Sequence, residues 1–191
     1  MSNYILASQS PRRKQLLEWA EVPFEVVVHN TDESYPDNLL PEEIAIYISR
    51  QKAKVVASAV GDGRRIIIAA DTIVVLDNKI IGKPKTIDDA FNILSALSGK
   101  IHSVITGVTI TNGENEINFT DTTEVEFYDL TEDQINFYIN KYKPFDKAGA
   151  YAIQEWIGVV GIKKINGDFY NVMGLPVSRV LQALSEFRSS S

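Results

Sequence analysis

The sequence predicts an α/β fold built on a mixed sheet, and three observations carry that expectation. Strand-like and helix-like stretches alternate along the chain; Arg65 to Ala70 is a short, nearly all-apolar run of the kind covered on both faces; and Asn112-Gly113 separates two stretches of period-two hydrophobicity, the signature of a hairpin. With 191 residues, 45% of them hydrophobic and 23% charged, one sizeable globular domain is expected over residues 1–188, and the serines at 189–191 are expected to be a disordered tail.

Taken in order, Tyr4 to Ala7 is an apolar strand that crosses Ser8 and Ser10 into a helix opened by Pro11 and running to about Ala20. Phe24 to Val28 is β-branched and aromatic enough for a strand, and the polar stretch from Asn30 to Pro41 is a loop carrying Asp32 and Glu33. Pro41-Glu42-Glu43 starts a second helix, expected to reach Val60 before Gly61-Asp62-Gly63 stops it, with Ile44, Ile48, Lys52, Val55 and Ala59 as its buried stripe. Asp77-Asn78 is a two-residue turn into Lys79 to Ile81, which returns Lys83 toward the neighbourhood of Asp71. Thr86 with Asp89, and Thr131 with Gln134, have the spacing of capping boxes, and Gly99 is a natural helix stop. The second capped helix should bury Ile135, Tyr138 and Ile139. Lys147 to Gln154 has too many small residues for a defined element. Val159 to Ile165 is expected as a strand, Gly167-Asp168 as a turn, and Val177, Val180, Leu181, Leu184 and Phe187 as the apolar face of a C-terminal helix.

Composition excludes several classes. No cysteine is present, so there is neither a disulfide framework nor a thiolate metal site, and a reducing compartment, by default the cytoplasm, is expected. No apolar run approaches the roughly 20 residues that span a bilayer, so no membrane association is expected. A formal net charge of -6 argues against broad nucleic-acid binding while leaving room for a local cationic pocket.

Three features point toward chemistry. Arg12 and Arg13 occupy the first turn of a helix, against the dipole preference, so the corner with Ser8 and Ser10 is either a serine-capped helix with solvated cations or a phosphate-binding corner. Lys52 falls on an apolar helical stripe, where its ammonium either snorkels to solvent or meets an anion. Asp71 interrupts a core-like stretch between Ala70 and Ile73, as a strand break or as a functional carboxylate.

Five segments together resemble one family. Ser8-Gln9-Ser10-Pro11-Arg12-Arg13, Ala70-Asp71-Thr72, Gly82-Lys83-Pro84, Asp146 to Tyr151 with Ile153-Gln154, and Asn171-Val172-Met173-Gly174-Leu175-Pro176 resemble the Maf nucleoside triphosphate pyrophosphatases, in order and over nearly the whole chain. The resemblance implies an elongated mixed sheet with flanking helices and a central cleft, similar to inosine triphosphate pyrophosphatases. It also implies a cytoplasmic homodimer that hydrolyses a nucleoside triphosphate to monophosphate and pyrophosphate with Mg2+ or Mn2+. By the same resemblance Asp71 is the proton acceptor for the attacking water; Glu33, a carboxylate in the loop, is the candidate metal ligand, sharing the ion with Asp71. Ser8, Arg13, Lys52 and Lys83 would meet phosphate oxygens. Arg12, Thr72 and Gln154 match the branch acting on dTTP and UTP, with possible extension to modified pyrimidine nucleotides, whereas the branch preferring 7-methyl-GTP has Trp, Gln and Glu there. Three positions depart from the family pattern: Lys143 stands where Glu is usual, and Ala152 and Glu155 stand where Gly is usual. Two other readings compete with this one: a regulator of septum formation that acts by binding, and a nucleic-acid-binding module, the weaker of the two because no basic stripe with interleaved aromatics is present.

Overall fold

In the computed structural model the described residues are 4–61 and 65–189, with only the backbone of Arg188. Seven strands form a mixed sheet in the order β2-β1-β3-β5-β6-β7, with β4 pairing β3. The strands are β1 (Tyr4–Leu6), β2 (Phe24–Val26), β3 (Ile66–Leu76), β4 (Lys79–Ile81), β5 (Ile101–Thr111), β6 (Glu116–Phe127) and β7 (Ile162–Asn166). The helices are α1 (Pro11–Trp19), α2 (Pro41–Val60), α3 (Ile87–Leu97), α4 (Glu132–Tyr142), α5 (Trp156–Gly161), α6 (Phe169–Met173) and α7 (Val177–Ser189), with one 3-10 turn at Ala148–Ala150. β1 runs parallel to β2 and to β3, pairing Leu6 with Ile68, while β4 is antiparallel to β3 and β7 to β6. Among the described residues no helix is long and apolar enough to cross a membrane.

The chain divides into two compact units. The first holds the chain up to Thr72, Thr106–Asp121 and the chain from Gly174; the second holds Ile73–Ile105 and Thr122–Met173. In the first unit α2 lies against one face of β1 and β3, where Ile5, Ala7, Ala53, Val56, Ile67 and Ala69 form a closed apolar cluster. Small residues bring this helix close to β5. A Cβ on Gly107 would come within 2.3 Å of the Ala45 backbone, and the Ser49 hydroxyl meets that of Thr109 at 2.7 Å. In the second unit His102 is 2% exposed, hydrogen-bonded to the Tyr151 hydroxyl at 2.7 Å and stacked on Phe127. Burial keeps its imidazole neutral, lowering its pKa to about 4.

Local sequence chemistry accounts for most element ends. The Ser10 hydroxyl caps α1, and both capping boxes form, with Thr86 and Thr131 each accepting from the backbone N–H three residues on. At α2 the Leu40 N–H donates to Glu43 at 2.8 Å, and Gly61, at φ 67°, closes the helix. Residues 62 and 63 of the expected stop lie outside the described residues. Asp77 and Asn78 both take positive φ, as a tight hairpin turn demands.

Four expectations are corrected. The C-terminal half of the α2 stripe is Ala53 and Val56, not Val55 and Ala59, because the small residues Ala45, Ser49 and Ala53 turn inward against the sheet. Val159 to Gly161 belong to α5, and the strand begins only at Ile162. A Cβ on Gly158 would meet the Ile153 carbonyl at 1.7 Å, so this tight contact overrides β-propensity and leaves Val159 81% exposed. In α7 Ala183 is buried where Leu181 was expected, and Leu181 is 40% exposed. Ser189 ends that helix with its hydroxyl bonded to the Ser185 carbonyl, while residues 190 and 191 lie outside the described residues. Helix α6 carries no strong periodic signal and was not expected at all.

Gly107→Ala is expected to cost about 3 kcal/mol, since the added methyl collides with α2 backbone, which cannot yield as a side-chain tip can. Gly61→Ala, with open space but a left-handed φ, should cost about 1 kcal/mol. Urea denaturation of both variants checks this, and equal losses would mean that the approach of α2 to β5 is not tight.

Candidate functional site

Strand β3 organises the candidate site, because alternation sends successive side chains to opposite faces. Ile67 and Ala69 face α2 in the apolar cluster, and Asp71 is the next residue on that face. The strand runs unbroken through Asp71, so the strand-break reading of this acid falls. Its carboxylate, 13% exposed, accepts from the Lys52 ammonium at 2.7 Å, and Lys52 reaches it from α2 beside Ala53 and Val56. Glu33 arrives from the loop after β2 and meets the same ammonium, also at 2.7 Å. An Asx turn, with Asp32 accepting from the Ser34 backbone and hydroxyl, shapes the loop around Glu33.

These contacts settle the side chain of Lys52: it does not snorkel freely but holds two carboxylates. They are unequal. The pair with Asp71 is largely covered on both sides, whereas Glu33 is 47% exposed, and a pair exposed to that degree is worth at most about 1 kcal/mol. Asp71 is therefore the fixed partner and Glu33 the exchangeable one.

The other face of β3 carries Thr72 and a second cluster. Arg13, 8% exposed in the first turns of α1, spreads its guanidinium over three neutral acceptors: Nε to the Gly174 carbonyl at 2.7 Å, one terminal nitrogen to the Ser8 hydroxyl at 3.2 Å, the other to the Thr72 hydroxyl at 2.9 Å. The Thr72 hydroxyl also meets that of Thr106 at 2.9 Å. The Ser8 hydroxyl accepts from the Ser10 N–H at 3.2 Å, so the serines serve both the helix start and the guanidinium. Burial lowers the Arg13 pKa, while the charges of Asp71 and Glu33 act in the opposite direction. Gly174 was legible as part of a motif, and its conformation explains the residue: its φ of 121° strains any side chain. Thr106 carried no signal beyond its place in an alternating strand.

The remaining expected residues lie as follows. Arg12 is half-buried at the second position of α1. Lys83 is exposed in the loop after β4, which is tied to the 3-10 turn by the Gly149 N–H donating to the Gly82 carbonyl at 3.2 Å. Gln154 is exposed in the turn before α5. Thus Lys52 joins two expected residues, Asp71 and Glu33, and on the opposite face of the same strand Arg13 joins two others, Ser8 and Thr72. Arg12, Lys83 and Gln154 stand at three other places in the chain.

The Maf-like protein family model matches residues 3–187. The dTTP/UTP pyrophosphatase of Cytophaga hutchinsonii is 54% identical over 97% of this chain and 84% of its own. That of Parabacteroides distasonis is 47% identical over 96% and 95%, and that of Bacillus cytotoxicus 44% identical over 100% and 98%. Among solved structures, the Staphylococcus aureus Ham1 protein is 14% identical over 66% of this chain and 72% of its own, with a TM-score of 0.48. With the motifs in order, Asp71 and Lys52 joined, and a family match spanning all but the chain ends, this protein belongs to the Maf family.

Proposed function

We propose that this protein hydrolyses dTTP and UTP, with modified pyrimidine triphosphates as an extension of the same class, to the nucleoside monophosphate and pyrophosphate. The observation that carries this reading is the meeting of Asp71, Lys52 and Glu33, brought from a strand, a helix and a loop onto one point. Relatives named dTTP/UTP pyrophosphatase at 44–54% identity support the substrate class.

Hydrolysis between the α and β phosphates needs a base for water, cations for the triphosphate and a route out for pyrophosphate. Asp71 takes the proton of a water whose oxygen bonds to the α phosphorus, and the bond from that phosphorus to the bridging oxygen breaks as pyrophosphate leaves. Lys52 holds one carboxylate oxygen of Asp71 and so fixes the base on a rigid strand; it also supplies positive charge to phosphate oxygens. Ser8, Arg13 and Lys83 are further phosphate groups in this reading, and Arg12, Thr72 and Gln154 recognise the base. The Thr72 hydroxyl is already engaged by Arg13 and Thr106, so its part in selectivity is exerted through those contacts.

A divalent cation fits the donor set. Glu33 and Asp71 are hard carboxylate donors drawn onto one ammonium, and Mg2+ is held by one or two carboxylates with substrate phosphates and water. Among the described residues no group of three or more His, Asp or Glu side chains forms a complete cation cage, so the other positions fall to phosphate and water. Glu33 and Asp71 would hold Mg2+ or Mn2+, which when bound neutralises triphosphate charge. In this reading the setting is cytoplasmic and the protein a homodimer, as the family resemblance implies.

The purified protein should turn over dTTP and UTP at least ~10-fold more efficiently than 7-methyl-GTP, about 1.4 kcal/mol in transition-state binding. In ¹⁸O-labelled water the label should enter the monophosphate; label in pyrophosphate would place attack at the β phosphorus. A preference for 7-methyl-GTP would overturn the base assignment.

Asp71→Asn should lower kcat by about 10² to 10⁴ while the fold survives, because shape is kept and basicity is lost. Unimpaired turnover would remove Asp71 from the reaction.

Lys52→Met should lower kcat/KM by roughly 10² or more. It should also lower Tm, since the largely buried Asp71 carboxylate loses its cation. Near-normal turnover would leave Lys52 a purely structural partner of Asp71.

A further inference from the structure

We infer that Glu155, one of the three departures from the family pattern, works with Tyr138 as a clamp that holds the turn presenting Gln154. The inference rests on the reading of Gln154 as a base-recognising residue. Ala152-Ile153-Gln154-Glu155 is a tight turn, closed by the Glu155 N–H donating to the Ala152 carbonyl at 3.1 Å. Both ends of that turn meet one hydroxyl. The Tyr138 hydroxyl accepts from the Ala152 N–H at 3.1 Å and donates to the Glu155 carboxylate. Tyr138 is wholly buried on α4, so the anchor point is fixed by the helix.

A second contact holds the carboxylate from its other oxygen. The Lys147 ammonium, whose side chain is 9% exposed, lies 3.6 Å from Glu155 and 2.8 Å from Asp146, and of these two acids Glu155 is the more covered, 22% against 57%. Behind the turn, α5 starts at once: the Gly158 N–H donates to the Glu155 carbonyl at 2.9 Å, and the Trp156 ring packs edge-on against Phe137 of α4. Ile153 points inward, 4% exposed, while Gln154 is exposed. Each neighbour of Gln154 is thus pinned, and its side chain alone projects. A glycine at 155 would provide the turn but neither carboxylate contact, and the backbone at 152–155 would be free to sample other conformations. Glu155 is a positioning residue in this account: it acts on the base through Gln154, by limiting where that amide can be.

The test uses the whole protein and two independent readouts. In Glu155→Ala and Tyr138→Phe the amide N–H groups of Ala152 and Glu155 should exchange with solvent at least ~10-fold faster, with the fold retained by circular dichroism. Glu155→Gln, which can still accept from Tyr138, should lie between these and the unaltered protein and keeps the test usable if alanine unfolds the chain. In parallel, binding of dTMP should weaken about tenfold while binding of pyrophosphate changes less than twofold, a split that general loosening of the fold would not produce. Unchanged exchange in Glu155→Ala and Tyr138→Phe overturns the clamp. Faster exchange with unchanged dTMP binding has two outcomes, told apart by Gln154→Ala. If Gln154→Ala weakens dTMP, the clamp does not position Gln154 and the inference falls; if it does not, the clamp stands and the role of Gln154 in base recognition falls instead.

Discussion

The Asp71 carboxylate lies on the face of β3 that Ile67 and Ala69 fill with hydrocarbon, and a charge so placed is tolerable only with a partner. Lys52 is that partner, and much of the first unit follows from delivering it. Helix α2 must come close to the sheet, which the small residues Ala45, Ser49 and Ala53 permit, and Gly107 removes the side chain that would hold it off. The same close packing sets the depth at which the ammonium emerges, so the geometry of the acid–cation pair depends on residues with no chemistry of their own.

Two cations of the first unit are satisfied by opposite means. Lys52 is a compact point charge and is satisfied by carboxylates; Arg13 is a planar fork and is satisfied by a carbonyl and two hydroxyls in the directions its N–H groups point. The difference matters for an anionic substrate. Hydrogen bonds to uncharged groups meet the donors of a guanidinium without cancelling its charge, so at Arg13 only the through-space action of Asp71 and Glu33 opposes it. Substituting lysine there would keep the charge and abandon most of the fork, releasing Thr72 and Gly174 together.

Much of this was legible in the sequence wherever a local rule decides. Thr86 and Asp89, Thr131 and Gln134, Ser10 before Pro11, and Asp77-Asn78 each form the cap or turn their spacing predicts, because those structures involve only near neighbours. The sequence was less informative where tertiary contact decides. Val159 and Val160 have strand propensity, yet contact between Gly158 and Ile153 winds them into α5. The inward rotation of α2 toward Ala53 and Val56 reflects the closeness of β5, which no helical period contains. For the candidate site, Asp71 and Lys52 stood out as polar residues in apolar patterns, and that anomaly is a usable signal. Thr106 did not, since a threonine in an alternating strand is ordinary.

At 152 and 155, where the family resemblance implies glycine, this chain holds its turn with side chains. Glycines let the backbone turn but leave it loose; Ala152 removes some of that freedom directly, and Glu155 replaces it with two side-chain anchors. The replacement depends on a buried hydroxyl at Tyr138 and a buried ammonium at Lys147 being already in place, for a carboxylate so covered would otherwise carry an unmet desolvation cost. Glu155 is therefore coupled to residues 8 and 17 positions earlier, and substitutions at 138, 147 and 155 should not act independently. That coupling, more than the identity of any one residue, is what fixes the direction in which Gln154 projects.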